Sequence, residues 1–425
     1  MKRIFFLLMC CMGMAFGAQD IDATLEVVKK FGSLPKIIVQ DIGKEYSQKE
    51  FGLKVSKMLA ADLKVTGHFA VSEEAQTPAL VFNIDEYRQL KMDLVARIKA
   101  ERKNNGLLVS LQLYDINAGN LAFSKEYTLN EADAYPFLVH KVAIDINDYI
   151  KAPKVDWLTR KVILAYYTTP GESEILYADY TLTYKKRILQ GGLNIFPKWA
   201  NEEQSVFYYT KYLDKPTLFR YDLQTQTNTK MLSSNGMLVA SDVSKDGSKL
   251  LLTMAPNEQS DIYLYDVASG KTNRLTHYNG IDVSGNFIEN EKRVMFISDR
   301  LGYPNVFAIP ISGESSGNVE QMVFHGRNNN AASAYGNYIV YSSRETSEEF
   351  NRNTFNLYLI STQSDFIRRL SANGVNQLPR FSNDGETIMY IKHEGNQSAL
   401  GIIRLNYNKT LLFPLKGNVI QSMDW

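Results

Sequence analysis

A long internal period constrains this chain more than any other feature. Beyond residue 155 an apolar run recurs about every 44 residues, at 162–167, 206–209, 250–253, 294–297, 339–342 and 388–391. A second β-like run trails each one, at 174–179, 217–222, 261–266, 305–310, 355–360 and 398–405. A third short run closes each unit, at 186–189, 230–232, 273–276, 320–323, 368–371 and 411–414. Turn signals such as Lys245-Asp246-Gly247 and Asn383-Asp384-Gly385 stand before the apolar run. A period of this length is that of a four-stranded propeller blade. Six units are present. The first lacks the leading segment that later units carry, such as Phe196-Pro197-Lys198-Trp199, and residues 419–425 are an orphan segment of that kind. Pairing the C-terminal segment into the first unit would close the ring and remove two exposed sheet edges. The prediction is an all-β six-bladed propeller over residues 153–425, closed by the C-terminal strand.

Ahead of the array the periodicity is mixed. Phe51, Val55, Leu59 and Leu63 recur at helical spacing after Ser47-x-x-Glu50, which has the spacing of a capping box. Leu94, Ala96, Ile98 and Ala100 alternate, as do Leu107, Val109, Leu111 and Leu113, each set facing one side of a sheet. Asn117-Ala118-Gly119-Asn120 turns into another strand over 121–129, and Leu138, Val142, Ile146 and Tyr149 form a second helical stripe. Two helices on one face of a small sheet make an α/β domain over residues 18–152, and 151–156 read as the linker.

The N-terminus has the layout of a secretory signal peptide over residues 1–17. Lys2 and Arg3 precede an apolar run too short to span a bilayer, and Ala15-Phe16-Gly17 is a small-x-small cleavage site. Both cysteines, Cys10 and Cys11, fall within it, so the mature chain is expected to hold no disulfide or reactive thiol. Lysine and arginine number 47 against 46 acidic residues. That near-balance offers no footprint for nucleic acid or anionic lipid. No direct membrane insertion is expected.

Candidate chemistry is sparse. Gly313-Glu314-Ser315-Ser316-Gly317 matches the nucleophile-elbow pattern, but the strand-turn-helix setting that the motif needs is missing. The histidines, His68, His140, His277, His325 and His393, form no zinc spacing, and Asp246 and Asp384 read as turn residues. No catalytic residue, metal ligand or cofactor is predicted. The blade-to-blade connections remain, and in a propeller they emerge together on one face around the central channel. They are polar and aromatic, and the candidate binding residues are Ser234, Asn235, Tyr278, Asn279, Asp282, Asn329, Asn330, Asn373 and Gln377.

Ser298-Asp299-Arg300-Leu301-Gly302-Tyr303-Pro304-Asn305-Val306-Phe307 is similar to an S-D-R-x-G-x-P-x-(I/V)-(Y/F) segment, and through it the chain resembles the TolB family, the periplasmic component of the Tol–Pal envelope system. Residues 244–250 resemble its S-P-D-G-x-x-L repeat, with Lys245 in place of proline, and 266–276 the continuation of that repeat. Ala61-Asp62-Leu63-Lys64-Val65-Thr66-Gly67-His68-Phe69 resembles the A-D-L-x-x-(S/T)-G-x-F signature. The first unit has Ala178-Asp179-Tyr180-Thr181 in place of an Asp-Gly turn, and Glu289-Asn290-Glu291 also departs from the repeat. These are marks of a divergent member. The resemblance implies a monomeric, non-enzymatic periplasmic scaffold. It would bind the lipoprotein Pal through the channel face and TolA through an N-terminal leader, residues 18–34, opening on Gln19, Asp20, Ile21 and Asp22. It would thereby support outer-membrane integrity and envelope constriction at cell division. The competing expectation is a propeller accessory or ligand-binding module related to prolyl-peptidase propellers.

Overall fold

In the computed structural model, which describes residues 34–43, 48–72, 82–311, 319–347, 352–407 and 409–425, each apolar period finds a partner. Residues 35–425 form one compact unit. The first five strands, β1 (Lys36–Asp41), β2 (Ala70–Val71), β3 (Leu94–Lys103), β4 (Gly106–Asp115) and β5 (Asn120–Leu129), make one sheet in the order β2-β1-β3-β4-β5. Strand β1 runs parallel to both its neighbours, and the others pair antiparallel.

Helix α1 (Lys49–Thr66) places Phe51, Val55, Leu59 and Leu63 on its buried face, as the period predicts. Ser47 lies outside the described residues; the N-cap is Gln48, without a side-chain cap bond, and Glu50 pairs with Lys54 at 2.8 Å. A short helix, α2 (Ile84–Gln89), begins where Asn83 accepts a bond from the Asp85 amide. It packs Tyr87 with Ile38, Val95 and Ile116 in a small separate cluster. The third helix, α3 (Tyr135–Tyr149), buries Leu138, Val142 and Ile146. These side chains join those of α1 over Ala96, Ile98, Val109 and Leu111, so α1 and α3 share one face of the sheet. Residues 156–159 form a short 3-10 helix whose Trp157 has no exposed surface.

Beyond it stand six four-stranded blades. Strands β6 (Val162–Thr169), β7 (Glu172–Ala178) and β8 (Lys185–Leu189) belong to the first. The second runs through β9 (Leu193–Trp199), β10 (Val206–Tyr212), β11 (Pro216–Asp222) and β12 (Thr227–Ser233). The third is β13 (Leu238–Val243), β14 (Lys249–Met254), β15 (Asp261–Asp266) and β16 (Thr272–Arg274). The fourth is β17 (Asp282–Ile288), β18 (Arg293–Ser298), β19 (Asn305–Pro310) and β20 (Glu320–Gln321). The fifth is β21 (Arg327–Tyr335), β22 (Tyr338–Ser347), β23 (Arg352–Ser361) and β24 (Ile367–Arg369). The sixth is β25 (Val375–Phe381), β26 (Thr387–Glu394), β27 (Gln397–Arg404) and β28 (Lys409–Leu415). The last strand, β29 (Val419–Asp424), pairs antiparallel with β6 and supplies the inner strand that the first blade lacks. A bridge between Phe355 and Val375 joins the fifth and sixth blades into one hydrogen-bonded sheet.

One core passes from the α/β sheet through Trp157 into the first and sixth blades, taking in Val162, Leu176, Met389, Ile402 and Met423. Large apolar burial of this kind resists independent motion of the two halves. Among the described residues no helix is long and apolar enough to cross a membrane.

A candidate docking face around the propeller channel

Antiparallel blades alternate their connections between two ends. The links from second to third strand, and from outer strand to the next inner strand, share one end. The α/β domain occupies the other end, where the β7–β8 and β27–β28 links lie: Tyr184 donates to Glu131 at 3.2 Å, and Arg404 donates to the Thr66 carbonyl at 3.1 Å. The signature over residues 61–69 belongs to this junction. Asp62 is fully buried, and Gly67 takes φ +80 at the end of α1, where a Cβ would stand 2.8 Å from the Tyr407 ring. The motif serves the joint between the halves, away from the blade-connecting loops.

All nine propeller residues predicted to bind sit at the free end, Ser234, Asn235, Tyr278, Asn279 and Asn373 in the blade-to-blade links and Asp282, Asn329, Asn330 and Gln377 in the first residues of the inner strands that follow, and they divide by environment. Asp282 is buried and receives Arg300 at 3.1 Å on both oxygens, while the guanidinium lies 5.0 Å over the Tyr278 ring. Asn329 is buried and donates to Asn305 at 3.0 Å and to the His325 carbonyl at 2.9 Å. Ser234 is also buried, its amide bonded to the Pro216 carbonyl at 3.1 Å. Asn330 and Gln377 are half-buried; Asn235, Asn279 and Asn373 are exposed, Asn235 bonding Lys215 at 3.1 Å. The pairing of Arg300 with Asp282 accounts for the Ser298-Asp299-Arg300 motif as a brace beneath the rim. Gln19, Asp20, Ile21, Asp22 and the Gly313–Gly317 motif lie outside the described residues.

Sequence reasoning passed over the apolar members of the same links. Phe324 is 82% exposed, Leu213 54%, Ile281 52% and Met237 45%. Tyr167, Tyr212 and Leu301 are exposed at this end too. Their signal was apolar residues in otherwise polar turns, where no core demands them. Exposed large side chains grouped on one rim mark an interaction surface.

The rim surrounds a cavity of about 200 Å3 whose walls include Phe196, Pro197, Val239, Val283, Leu378 and Met423. Every inner strand breaks register as it passes this point. Phe196, Ser284, Ala331 and Leu378 take positive φ there, of 53, 59, 47 and 49°. An extra residue bends a strand and re-aims its side chains, and non-glycine residues hold such backbone only where their surroundings enforce it. Beneath the cavity, Lys198 meets Asp424 at 3.0 Å and Asp242 at 3.3 Å. Arg380 donates to Asn286 at 3.2 Å and lies 3.8 Å from Asp424. Two cations and two carboxylates balance, so the floor carries no net charge to attract or repel a ligand.

His68, His325 and His393 each engage a neighbouring side chain. His68 lies 2.5 Å from Asn147, and burial holds its ring down at about 4. His325 contacts Tyr341 at 3.3 Å, His393 contacts Ser398 at 2.9 Å, and His277 is exposed.

Comparison with known proteins gives a consistent result. The family model for the TolB beta propeller domain matches residues 159–425, and that for the TolB amino-terminal domain matches residues 23–122. The chain is 63% identical over 407 residues to the Tol-Pal system protein TolB of Wolinella succinogenes, across 95% of this chain and 96% of that one. It is 47% identical over 429 residues to its counterpart in Campylobacter jejuni strain RM1221, across 100% of both. The crystal structure of TolB from Acinetobacter baumannii matches at a TM-score of 0.76 and 20% identity, over 92% of this chain and 96% of that one. At that identity the last likeness speaks for the fold.

Proposed function

Because the chain belongs to the TolB family, and so to the Tol–Pal system, we propose that it is a non-enzymatic periplasmic scaffold that docks Pal on the free end of its propeller. Residues 1–17 direct export, residues 18–152 form the α/β domain, and residues 153–425 present the docking face. The leader, residues 18–34, engages TolA, adding a strand to an exposed sheet edge. The monomer so assembled supports outer-membrane integrity and constriction at division.

The observation that carries this reading is the ring of exposed apolar side chains at the free end, around a walled cavity with a charge-balanced floor. A folded partner meeting a rigid rim pays little ordering entropy, and a few central apolar anchors then dominate affinity. Replacing Met237, Ile281 and Phe324 together with serine tests it by calorimetric titration of Pal. At about 1 kcal/mol or more per anchor, affinity falls about 100-fold or more. Unchanged Pal affinity in a folded triple variant overturns the assignment of this face. Deleting residues 18–34 removes TolA binding and spares Pal; the reverse pattern overturns the leader's role.

A further inference from the structure

His140 stands in α3 with no exposed surface, and both its ring nitrogens face carboxylates. Its Nδ1 lies 2.8 Å from Asp62 Oδ2 on α1, and its Nε2 lies 3.4 Å from Asp179 Oδ2, just past the end of β7. Both carboxylates are fully buried. The three groups therefore tie two helices of the α/β domain to the first blade. A neutral imidazole has one N–H, so it donates to one carboxylate and turns a lone pair on the other. Only the imidazolium satisfies both.

The remaining donors decide which contact fails when the proton leaves. Asp179 also accepts the Thr181 hydroxyl, the Thr181 amide at 2.9 Å and the Tyr184 amide at 2.6 Å. Asp62 has the Tyr180 hydroxyl at 2.5 Å. The single remaining N–H of a neutral ring belongs with Asp62, which is nearer and less fully bonded. The lone pair then faces Asp179. The charges acting on His140 are these two carboxylates, Asp62 from α1 and Asp179 from the first blade. The phenols of Tyr180, Tyr184 and Tyr135 are held protonated by burial and add none.

We propose that His140 is a pH-operated latch between the two halves of the molecule: the imidazolium fastens α3 to the first blade, and loss of its proton releases the Asp179 side. The device is independent of the partner reading above. Burial pulls the His140 pKa down, but the Asp62 charge, with the hydrogen bonds to both carboxylates, prevails and raises it to about 9. A value raised in the folded state stabilises fully below the unfolded value of 6.5 and is lost as pH rises through 9. The latch is therefore closed in neutral surroundings and opens on the alkaline side.

The test uses the whole mature protein. Ring-nitrogen NMR reads the charge on His140 directly, and hydrogen exchange, corrected for its intrinsic pH dependence, reads opening of the junction over residues 135–184. The ring should be charged at pH 7 and titrate near 9. Opening should increase on the order of 100-fold between pH 6.5 and 9.5, following the gap between the raised and ordinary values. His140→Gln should remove that rise. Asp179→Asn, which keeps the shape, should move the ring's titration downward, and it carries the test if His140→Gln does not fold. A ring that is neutral at pH 7, or an equal rise in His140→Gln, overturns the latch.

Discussion

Gly67→Ala isolates the joint between the α/β domain and the propeller. Two effects add at this position. A φ of +80 costs an alanine about 1 kcal/mol, because its Cβ crowds the following carbonyl. The new methyl would also stand 2.8, 2.9 and 3.0 Å from three Tyr407 ring carbons, so the ring must give way by about 0.5–1 Å to reach ordinary contact. Tyr407 is not free to yield, since the Arg404 guanidinium packs 5.4 Å over its ring and His68 meets it edge-on at 5.4 Å. Overpacking of this kind costs about 1–3 kcal/mol. The expected total is about 2–4 kcal/mol in urea unfolding. A double-mutant cycle with Tyr407→Ala separates the two effects. Removing the ring relieves the overpacking and leaves the backbone cost, so the coupling between the substitutions should be about 1–3 kcal/mol. Gly67→Ala within about 0.5 kcal/mol of wild type, or strict additivity in the cycle, would refute the steric account.

Two further outcomes follow from the same contacts. Deleting residues 419–425 exposes the edge of β6 and takes Asp424 from both Lys198 and Arg380, so the purified chain should associate in size-exclusion runs and lose its single cooperative melt; a stable monomer with unchanged Tm would contradict the inner-strand role of β29. His68 is held neutral by burial, with a folded value of about 4 against an ordinary 6.5, so the unfolded chain takes up the proton first as pH falls. Stability should therefore decline between pH 6.5 and 4 by on the order of 2–3 kcal/mol, and His68→Gln should flatten that limb in urea titrations; an unflattened limb would place the acid sensitivity elsewhere.

The blade order was legible because burial on both faces demands continuous apolar strands such as Leu250-Leu251-Leu252 and Ile388-Met389-Tyr390-Ile391, and nothing else in the chain repeats so regularly. The closing strand was legible as a missing segment at one end and a spare one at the other. The rim was harder to read. Polarity in a turn does not tell whether a side chain bonds outward or inward, and Asp282, Asn329 and Ser234 all turn inward. Met237, Ile281 and Phe324 stand out only as apolar residues in otherwise polar turns, a signal that can be read once the strand ends are known. The buried trio of Asp62, His140 and Asp179 joins residues 78 and 39 positions apart, and no local pattern links them.

The docking face itself can be tested by hydrogen exchange of the full mature protein with and without Pal. The account predicts slowed exchange confined to the links that carry Leu213, Met237, Ile281, Leu301 and Phe324, with the turns near Asp246 and Asp384 unchanged. Protection of those two turns, with the rim left unprotected, would contradict it.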